Sequence, residues 1–474
     1  MIPAITASKI YSTLGNNNSL VPLAIKDIAN SLGITAGSYI TGDATEGKDR
    51  FIDEIGTQFI WLFGIPIYKK VLDWTIFKPF KYDPKVDPRI MHDKEVLKQA
   101  FRFADESVRG NIKKAAQNQK IFKGLTFGKF AASTALTIFS YGALTKFRYK
   151  YTEKKIREEE KAKMEAAAKA NANNAQSQSG VNLTSTHMPP KFSQAFSAVH
   201  KDKSQSQTTK DNNQPAFTGK TPLQVLDHFM FSPTNNLMIV DGAITGERLV
   251  MSETKQDFFG YLIKEGSFWG FMYFAGKRIQ EHLEKTAETK HNRNIGLDAR
   301  VIESKELNEA MKTTKLAESL DEFGKVYGKS DAEIYKFLNT NQDNLIVKFA
   351  KQSDIIETFP EKKFLGFVIK KSDRIDNRRY INIEDIKGIY ENLGKLKKQL
   401  GEYMEENSSN TVDKFLKEVK SLKRASVLKN IGACIGALGI VAPAIMVGLR
   451  FMSNNKDFER KQRIIAELQQ QQQT

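Results

Sequence analysis

The segment Gly42–Asp49 comes nearest to a motif that could do chemistry. Its sequence GDATEGKD satisfies the G-x-x-x-x-G-K part of a phosphate-binding loop, in which backbone N–H groups and a lysine hold the phosphates of a nucleotide. The next position should be Ser or Thr to bind magnesium, but this chain has Asp49 there. Three acids within the segment would also repel a triphosphate. We therefore interpret the segment as a solvated turn.

Residues for metal binding or nucleophilic catalysis are equally sparse. The six histidines have no H-x-x-x-H or H-E-x-x-H spacing, Cys434 is the only cysteine, and no G-x-S-x-G elbow is present. Zinc sites and serine nucleophiles need such arrangements. The charged stretch Asp373–Tyr380 is predicted to be a surface helix of paired charges. We predict no catalytic residue, metal or cofactor, and the sequence favours a protein that is not an enzyme. A membrane-bound enzyme whose site is assembled from distant residues stays an alternative.

Small residues spaced for helix contact form the most specific positive pattern. Gly432 and Gly436 form a GxxxG that Gly439 extends, and Gly124 with Gly128 forms a second GxxxG. Such glycines let two helix backbones approach closely within lipid. They predict helix packing within the chain or against a second copy.

Two apolar runs must position these glycines. The uncharged run Ile431–Leu449 contains 19 residues, and as a helix it would extend about 28 Å, close to the thickness of a bilayer core. A second uncharged run, Phe130–Thr145, contains 16 residues. The sequence thus predicts a mostly α-helical membrane protein with two transmembrane helices, at about 125–147 and 430–450.

Two shorter aromatic runs, 55–68 and 266–276, are too short to span. We expect them to form helices at the membrane surface or in a core. Aromatic and basic side chains favour the boundary between lipid and water. The residues predicted to lie at that boundary are Trp61, Tyr68, Lys69, Lys70, Trp74, Trp269, Tyr273, Lys277, Arg278, Lys429 and Arg450.

The net charge of +17 comes from 72 basic and 55 acidic residues, and nearly half of the excess lies in residues 101–150. Because this excess surrounds an apolar run, it favours contact with anionic lipid headgroups and disfavours a nucleic-acid partner. The predicted headgroup contacts are Lys113, Lys114, Lys120, Lys123, Lys146, Arg148 and Lys150.

Composition divides the chain into six segments. They are a polar N-terminal segment (1–50), a first aromatic and basic block with a charged helical extension (51–169), a disordered linker (170–220), a second aromatic block (221–296), a charged helical soluble region (297–425) and a C-terminal span with a basic tail (426–474). The second block is a possible repeat of residues 34–75, because Ile40–Asp43 resembles Ile244–Glu247 and Glu54–Thr57 resembles Lys264–Ser267 in spacing.

These patterns predict a multi-pass membrane protein without a cleavable signal peptide. The distribution of Lys and Arg places the linker, and with it residues 150–428, on the cytoplasmic side. Its role is expected to be structural, with partners that are lipid headgroups or proteins yet to be identified. The alternative of a transporter or channel component needs polar groups inside the spans, and the two runs offer only hydroxyls.

Overall fold

The computed structural model describes residues 11, 13–15, 21–42, 44–177, 233–253, 255–364, 367–452 and 459–473. This part of the chain is mostly helical, as predicted. Beyond Ser177, the predicted linker lies outside the described residues. The helix that precedes it continues past residue 170, where the sequence predicts it to stop.

The first half, the described residues from 21 to 177, contains six α-helices and three short helical turns. The α-helices are α1 (Val21–Thr41), α2 (Ala44–Phe59), α3 (Ile65–Leu72), α4 (Lys94–Phe103), α5 (Glu106–Gln117) and α6 (Gln119–Ser177). Two π-helical turns (Ile60–Gly64 and Asp73–Phe77) and a 3₁₀ turn (Pro88–Met91) complete this half.

The second half has the remaining helices and one β-hairpin. The α-helices are α7 (Pro233–Val250), α8 (Lys255–Trp269), α9 (Gly276–His291), α10 (Ala299–Ile302), α11 (Lys305–Met311), α12 (Lys315–Tyr327), α13 (Asp331–Thr340), α14 (Leu345–Gln352), α15 (Ile383–Glu406), α16 (Val412–Gly436), α17 (Ala442–Met452) and α18 (Glu459–Gln473). Two π-helical turns, Gly270–Ala275 and Ala437–Val441, join α8 to α9 and α16 to α17. Strands β1 (Thr358–Phe364) and β2 (Phe367–Ile375) pair antiparallel.

One described helix is long and apolar enough to cross a membrane, the continuous helical run Val412–Leu449. Only 28% of its most apolar window is buried within the protein. The rest of the described protein therefore leaves most of that apolar surface uncovered. The second predicted span lies inside α6 but fails the same criterion. Its uncharged run is shorter, and Lys129 and Lys146 bracket it.

The prediction of a turn at Gly42–Asp49 is wrong for most of that segment. Helix α1 continues to Thr41, and α2 begins at Ala44. Glu46 and Asp49 are buried rather than solvated. Most of the predicted turn is therefore helical.

The region from Ile295 to Val419 packs around a large apolar core, to which Ala100 and Ala287 also contribute. Leu316, Leu320 and Phe323, which recur at helical spacing, are buried in it. The sequence does not predict the β-hairpin. The stretch Asp373–Tyr380 is also not helical: it ends β2 and turns, and Arg378 pairs there with Asp376 at 2.7 Å and with Asp83 at 2.8 Å.

Helices α1, α2, α6, α7 and α8 pack with their polar faces inward. On α2 the buried side chains are polar or charged, whereas Phe51, Ile55 and Phe59 are exposed. On α6, Thr137 and Arg148 are buried, whereas Phe139 is 74% exposed. This is the reverse of a water-soluble bundle, whose helices turn the apolar stripe inward.

The two halves share an order of elements. In each, a helix, a short link, a second helix, a π-helical turn and a third helix follow one another, as α1–α2–α3 and α7–α8–α9. The first helix of each half packs on the long apolar helix of the other: α1 on α17 and its π turn, and α7 on α6. The second helix of each half packs on the long apolar helix of its own half: α2 on α6 and α8 on α17.

Candidate functional site

Arg148 lies at the centre of a buried network of charges. Its guanidinium pairs with the carboxylate of Asp53 at 3.0 Å and lies 3.6 Å from that of Asp49. It also donates a hydrogen bond to the hydroxyl of Tyr261 at 2.7 Å. All four side chains are buried, so helices α2, α6 and α8 are joined by charges that water does not screen.

Asp257 extends the network toward the C-terminal helix. Its carboxylate pairs with Arg50 at 2.9 Å and with Arg460 at 3.0 Å. Arg460 also lies 3.3 Å from Asp49, to which Thr152 donates a hydrogen bond at 2.7 Å. Helix α18, which belongs to the predicted basic tail, therefore contributes a buried cation to the network.

Ion pairs also join α2 to α7 and α8. Lys264 pairs with Glu54 at 2.9 Å, and Arg248 pairs with Glu265. Arg248 also donates to the hydroxyl of Thr57. Removing one partner of a buried pair leaves an uncompensated charge, which is strongly destabilising.

Two buried carboxylates, Asp27 and Asp241, have no ion-pair partner among the described residues. Gln58 donates a hydrogen bond to Asp27 at 2.7 Å, and Tyr273 donates one to Asp241. Asp27 comes from the first helix of the first half and Asp241 from the first helix of the second. One buried carboxylate without an ion pair among the described residues therefore comes from each half.

Both carboxylates line one small cavity of about 30 Å³, which is large enough to hold a water molecule. Arg248, Lys264 and Glu265 also line it. Arg248 pairs with Glu265 and Lys264 pairs with Glu54, so Asp27 and Asp241 are the carboxylates of this wall that lack an ion pair among the described residues. A carboxylate without an ion pair can accept and release a proton.

In the described ranges, no group of three or more His, Cys, Asp or Glu side chains is placed to hold a metal ion. Cys434 is buried, and its thiol lies 3.7 Å from the side-chain oxygen of Asn430.

The predicted packing glycines differ in their surroundings. A Cβ built on Gly432, Gly436, Gly124 or Gly128 would meet no atom within 4 Å, so the structure gives these four no close helix contact. Gly439 does pack closely, since its Cβ would lie 3.2 Å from the carbonyl oxygen of Ala29. The tightest approach of a described glycine to another backbone involves one that the sequence does not predict: a Cβ on Gly33 would lie 2.4 Å from the carbonyl oxygen of Gly439.

The predicted boundary residues lie on α3 and in the π turns on either side of it, around the π turn Gly270–Ala275, on α16 and on α17. Lys69, Lys70, Trp74, Lys277, Arg278 and Lys429 are exposed, whereas Trp61, Tyr68, Trp269 and Tyr273 are half-buried. Tyr68 shares a hydrogen bond with Ser140 at 2.5 Å, and Trp269 donates one to Thr245 at 3.3 Å. The side chain of Arg450 lies outside the described residues.

The predicted headgroup contacts include one misplaced residue. Lys113, Lys120, Lys146 and Lys150 are exposed, and Lys114 and Lys123 are half-buried. Lys114 donates to the backbone carbonyls of Phe80 and Lys81. Arg148 is fully buried in the network and cannot reach a headgroup, because the face of α6 that carries it turns inward.

Sequence reasoning misses the charged core itself. On α2 the positions 46, 49, 50, 53, 54 and 57 are all polar and recur at the helical period, so they form one face. That periodicity is the signal that could have located the network. The comparison with protein-family models, with curated proteins and with solved structures finds no match.

Proposed function

We propose that this chain is an integral membrane protein that moves protons through a charged interior formed by both of its halves. The observation that carries the proposal is the cavity shared by Asp27 and Asp241, buried carboxylates without an ion pair. Ionisable side chains inside a membrane bundle are costly, and they commonly mark proton relays.

The placement in the membrane is supported by the outer surface of the bundle. Ile40, Phe59 and Phe139 are among many large apolar side chains that are more than half exposed on helices with buried charges. Exposed apolar side chains in this number favour contact with a membrane or a partner. The apolar run Val412–Leu449 adds a helix of sufficient length.

This placement includes helices that hydropathy alone would reject. Helices α1, α2, α7 and α8 carry charges, but most of those charges face the interior of the bundle. The proposal therefore replaces the expectation that all of residues 150–428 face the cytoplasm, because α7 and α8 belong to the bundle.

We also propose that the two halves arose by duplication. The common order of elements and the reciprocal packing of α1 and α7 support this. Repeated halves with a polar site at their interface are a common plan for membrane transporters.

The membrane placement is tested by fractionation. The protein should stay in the membrane pellet after carbonate extraction and should be released by detergent. Recovery in the supernatant without detergent would refute the placement.

Proton movement is tested in proteoliposomes that enclose a pH-sensitive dye. The wild-type protein should dissipate a pH gradient faster than protein-free vesicles do, and Asp27→Asn or Asp241→Asn should abolish most of that difference. Asp343→Asn is the matched control, since Asp343 is fully exposed on the helical region. A wild-type rate equal to that of empty vesicles would refute transport.

A second candidate function is the structural role predicted from the sequence, in which the protein organises anionic lipid or protein partners. The exposed lysines Lys113, Lys120, Lys146 and Lys150 favour it, because juxtamembrane cations attract anionic lipid. If flux is absent while the protein is integral to the membrane, this function is the better one.

A further inference from the structure

We infer that a pocket between α3, α6 and α7 binds an anionic phospholipid, with its headgroup on Lys69, Lys129 and Arg379. The pocket has a volume of about 330 Å³, which lies at the lower end of the range for small-molecule sites. It is separate from the cavity of Asp27 and Asp241. The inference rests on the proposed membrane placement but not on proton movement.

The polar part of the pocket is cationic. Lys69, Lys129 and Arg379 line it together with one acid, Asp87. The carboxylate of Asp87 is already neutralised, because the guanidinium of Arg89 binds both of its oxygens at 2.7–3.2 Å. The local charge on the pocket wall is therefore positive.

The three cations differ in how far they are already paired. Lys129 pairs with Asp73, and Arg379 pairs with Glu357 at 3.0 Å in a pair that is more than a third exposed on both sides. Exposed pairs of this kind contribute little, so Arg379 can turn to a ligand at low cost. Lys69 has no ion pair within the described part of the chain. A phosphate group would supply it with one.

The rest of the wall is apolar. Ile65, Val86, Phe130, Leu237 and Val240 line the pocket, and none of them can bond a free, hydrated anion. An acyl chain would cover this surface and gain the free energy of burying it. A pocket with an apolar wall and a cationic end is better suited to an amphiphile than to an inorganic ion.

The position of the pocket fits a lipid that lies at the edge of the bilayer. Lys69 lies between Ile67 and Val71, which are exposed on the outer face of α3, and Arg379 belongs to the segment that follows the β-hairpin. Basic pockets between membrane helices, at the level of the headgroups, are known binding sites for anionic lipids.

The test uses the full chain in mild detergent and native mass spectrometry with added lipids. Phosphatidylglycerol should bind the wild type more tightly than phosphatidylcholine with the same acyl chains. The double variant Lys69→Gln, Arg379→Gln should lower the affinity for phosphatidylglycerol by at least about tenfold. Lys70→Gln is the control, because Lys70 is exposed next to Lys69 but does not line the pocket.

A variant of the apolar wall tests the acyl-chain part separately. Leu237→Trp should fill the pocket and weaken phosphatidylglycerol binding while all three cations are kept. Circular dichroism checks that each variant is folded. Inorganic phosphate at the same concentration should not displace the lipid.

Three results would overturn the inference: equal binding of the two lipids, unchanged binding by the double variant, or displacement by inorganic phosphate, which would make the site one for free phosphate. If the protein is recovered without detergent, the membrane placement fails first. If it is integral and any of these results is obtained, only the lipid site fails.

Discussion

Glu54 and Lys264 form a buried ion pair at 2.9 Å between α2 and α8. They hold the same place in the segments Glu54–Thr57 and Lys264–Ser267, whose similarity suggests a repeat. Equivalent positions of two repeats meet when they lie near the axis that relates the halves. The pair therefore both joins the halves and supports their duplication.

Breaking this pair should destabilise the protein strongly. Lys264→Met would leave the carboxylate of Glu54 buried without a cation, at a cost of about 3–5 kcal/mol in the free energy of unfolding. The double variant Glu54→Leu, Lys264→Met should be more stable than the single variant Lys264→Met, because no buried charge is left alone at this place. Unfolding in detergent, followed by circular dichroism, measures both.

Lys398→Met is the control for this comparison. Lys398 pairs with Glu402 at 3.7 Å on the surface, so its loss should change the free energy of unfolding by less than about 1 kcal/mol. If the single and double core variants are equally unstable, the ion pair does not hold the halves together.

Gly33 should be the glycine at which helix contact matters most. Gly33→Ala would place a methyl group against the backbone of Gly439 at 2.4 Å, so α1 would have to move away from the π turn Ala437–Val441. Such overpacking typically costs about 1–3 kcal/mol. The melting temperature of the variant in detergent should fall.

The matched control is Gly432→Ala in the GxxxG. No atom lies within 4 Å of a Cβ there, and alanine favours a helix over glycine by up to about 1 kcal/mol. This variant should be as stable as the wild type or more so. A larger loss at Gly432 than at Gly33 would favour packing on a second copy of the chain instead.

The sequence predicts the helical class because apolar and charged residues recur at the helical period along most of the chain. It does not predict which face of α2 points inward. Phe51, Ile55 and Phe59 form an apolar face that an ordinary soluble helix would bury, and the charges of Asp49 and Asp53 lower the hydropathy below that of a span. The partners that neutralise those charges, Arg148 and Arg460 among them, lie about 100 and 400 residues away in sequence, so a local pattern cannot identify them.

Asp83 should make stability depend on pH at the junction between the first half and the helical region. Burial raises the pKa of Asp83, but hydrogen bonds from the backbone N–H of Lys85 and from Arg378 outweigh it, so the pKa is lowered from 3.8. A lowered pKa means that the native state favours the ionised carboxylate. The resulting stabilisation is complete above about pH 3.8 and is lost as the pH falls through the lower native value.

Asp83→Asn removes this carboxylate and tests the direction of the pH dependence of stability. The variant should be less stable than the wild type at pH 5, and the difference between them should shrink as the pH is lowered toward 3. Arg378→Gln should reduce the same pH dependence, since its guanidinium pairs with Asp83 at 2.8 Å. A difference that stays constant from pH 5 to pH 3 would contradict the role of Asp83.

The exposed lysines of α5 and α6 should attract anionic lipid in a salt-dependent manner. A variant with Lys113, Lys120, Lys146 and Lys150 all changed to Gln should bind phosphatidylserine in mixed micelles more weakly, by up to about 1 kcal/mol for each lysine at low salt. The loss should diminish at high salt, because ions screen exposed charges. A variant with Lys315, Lys336, Lys397 and Lys398 changed to Gln removes the same charge from exposed positions of the helical region. Equal losses in both variants would mean that net charge, and not the position of these lysines beside the bundle, determines lipid binding.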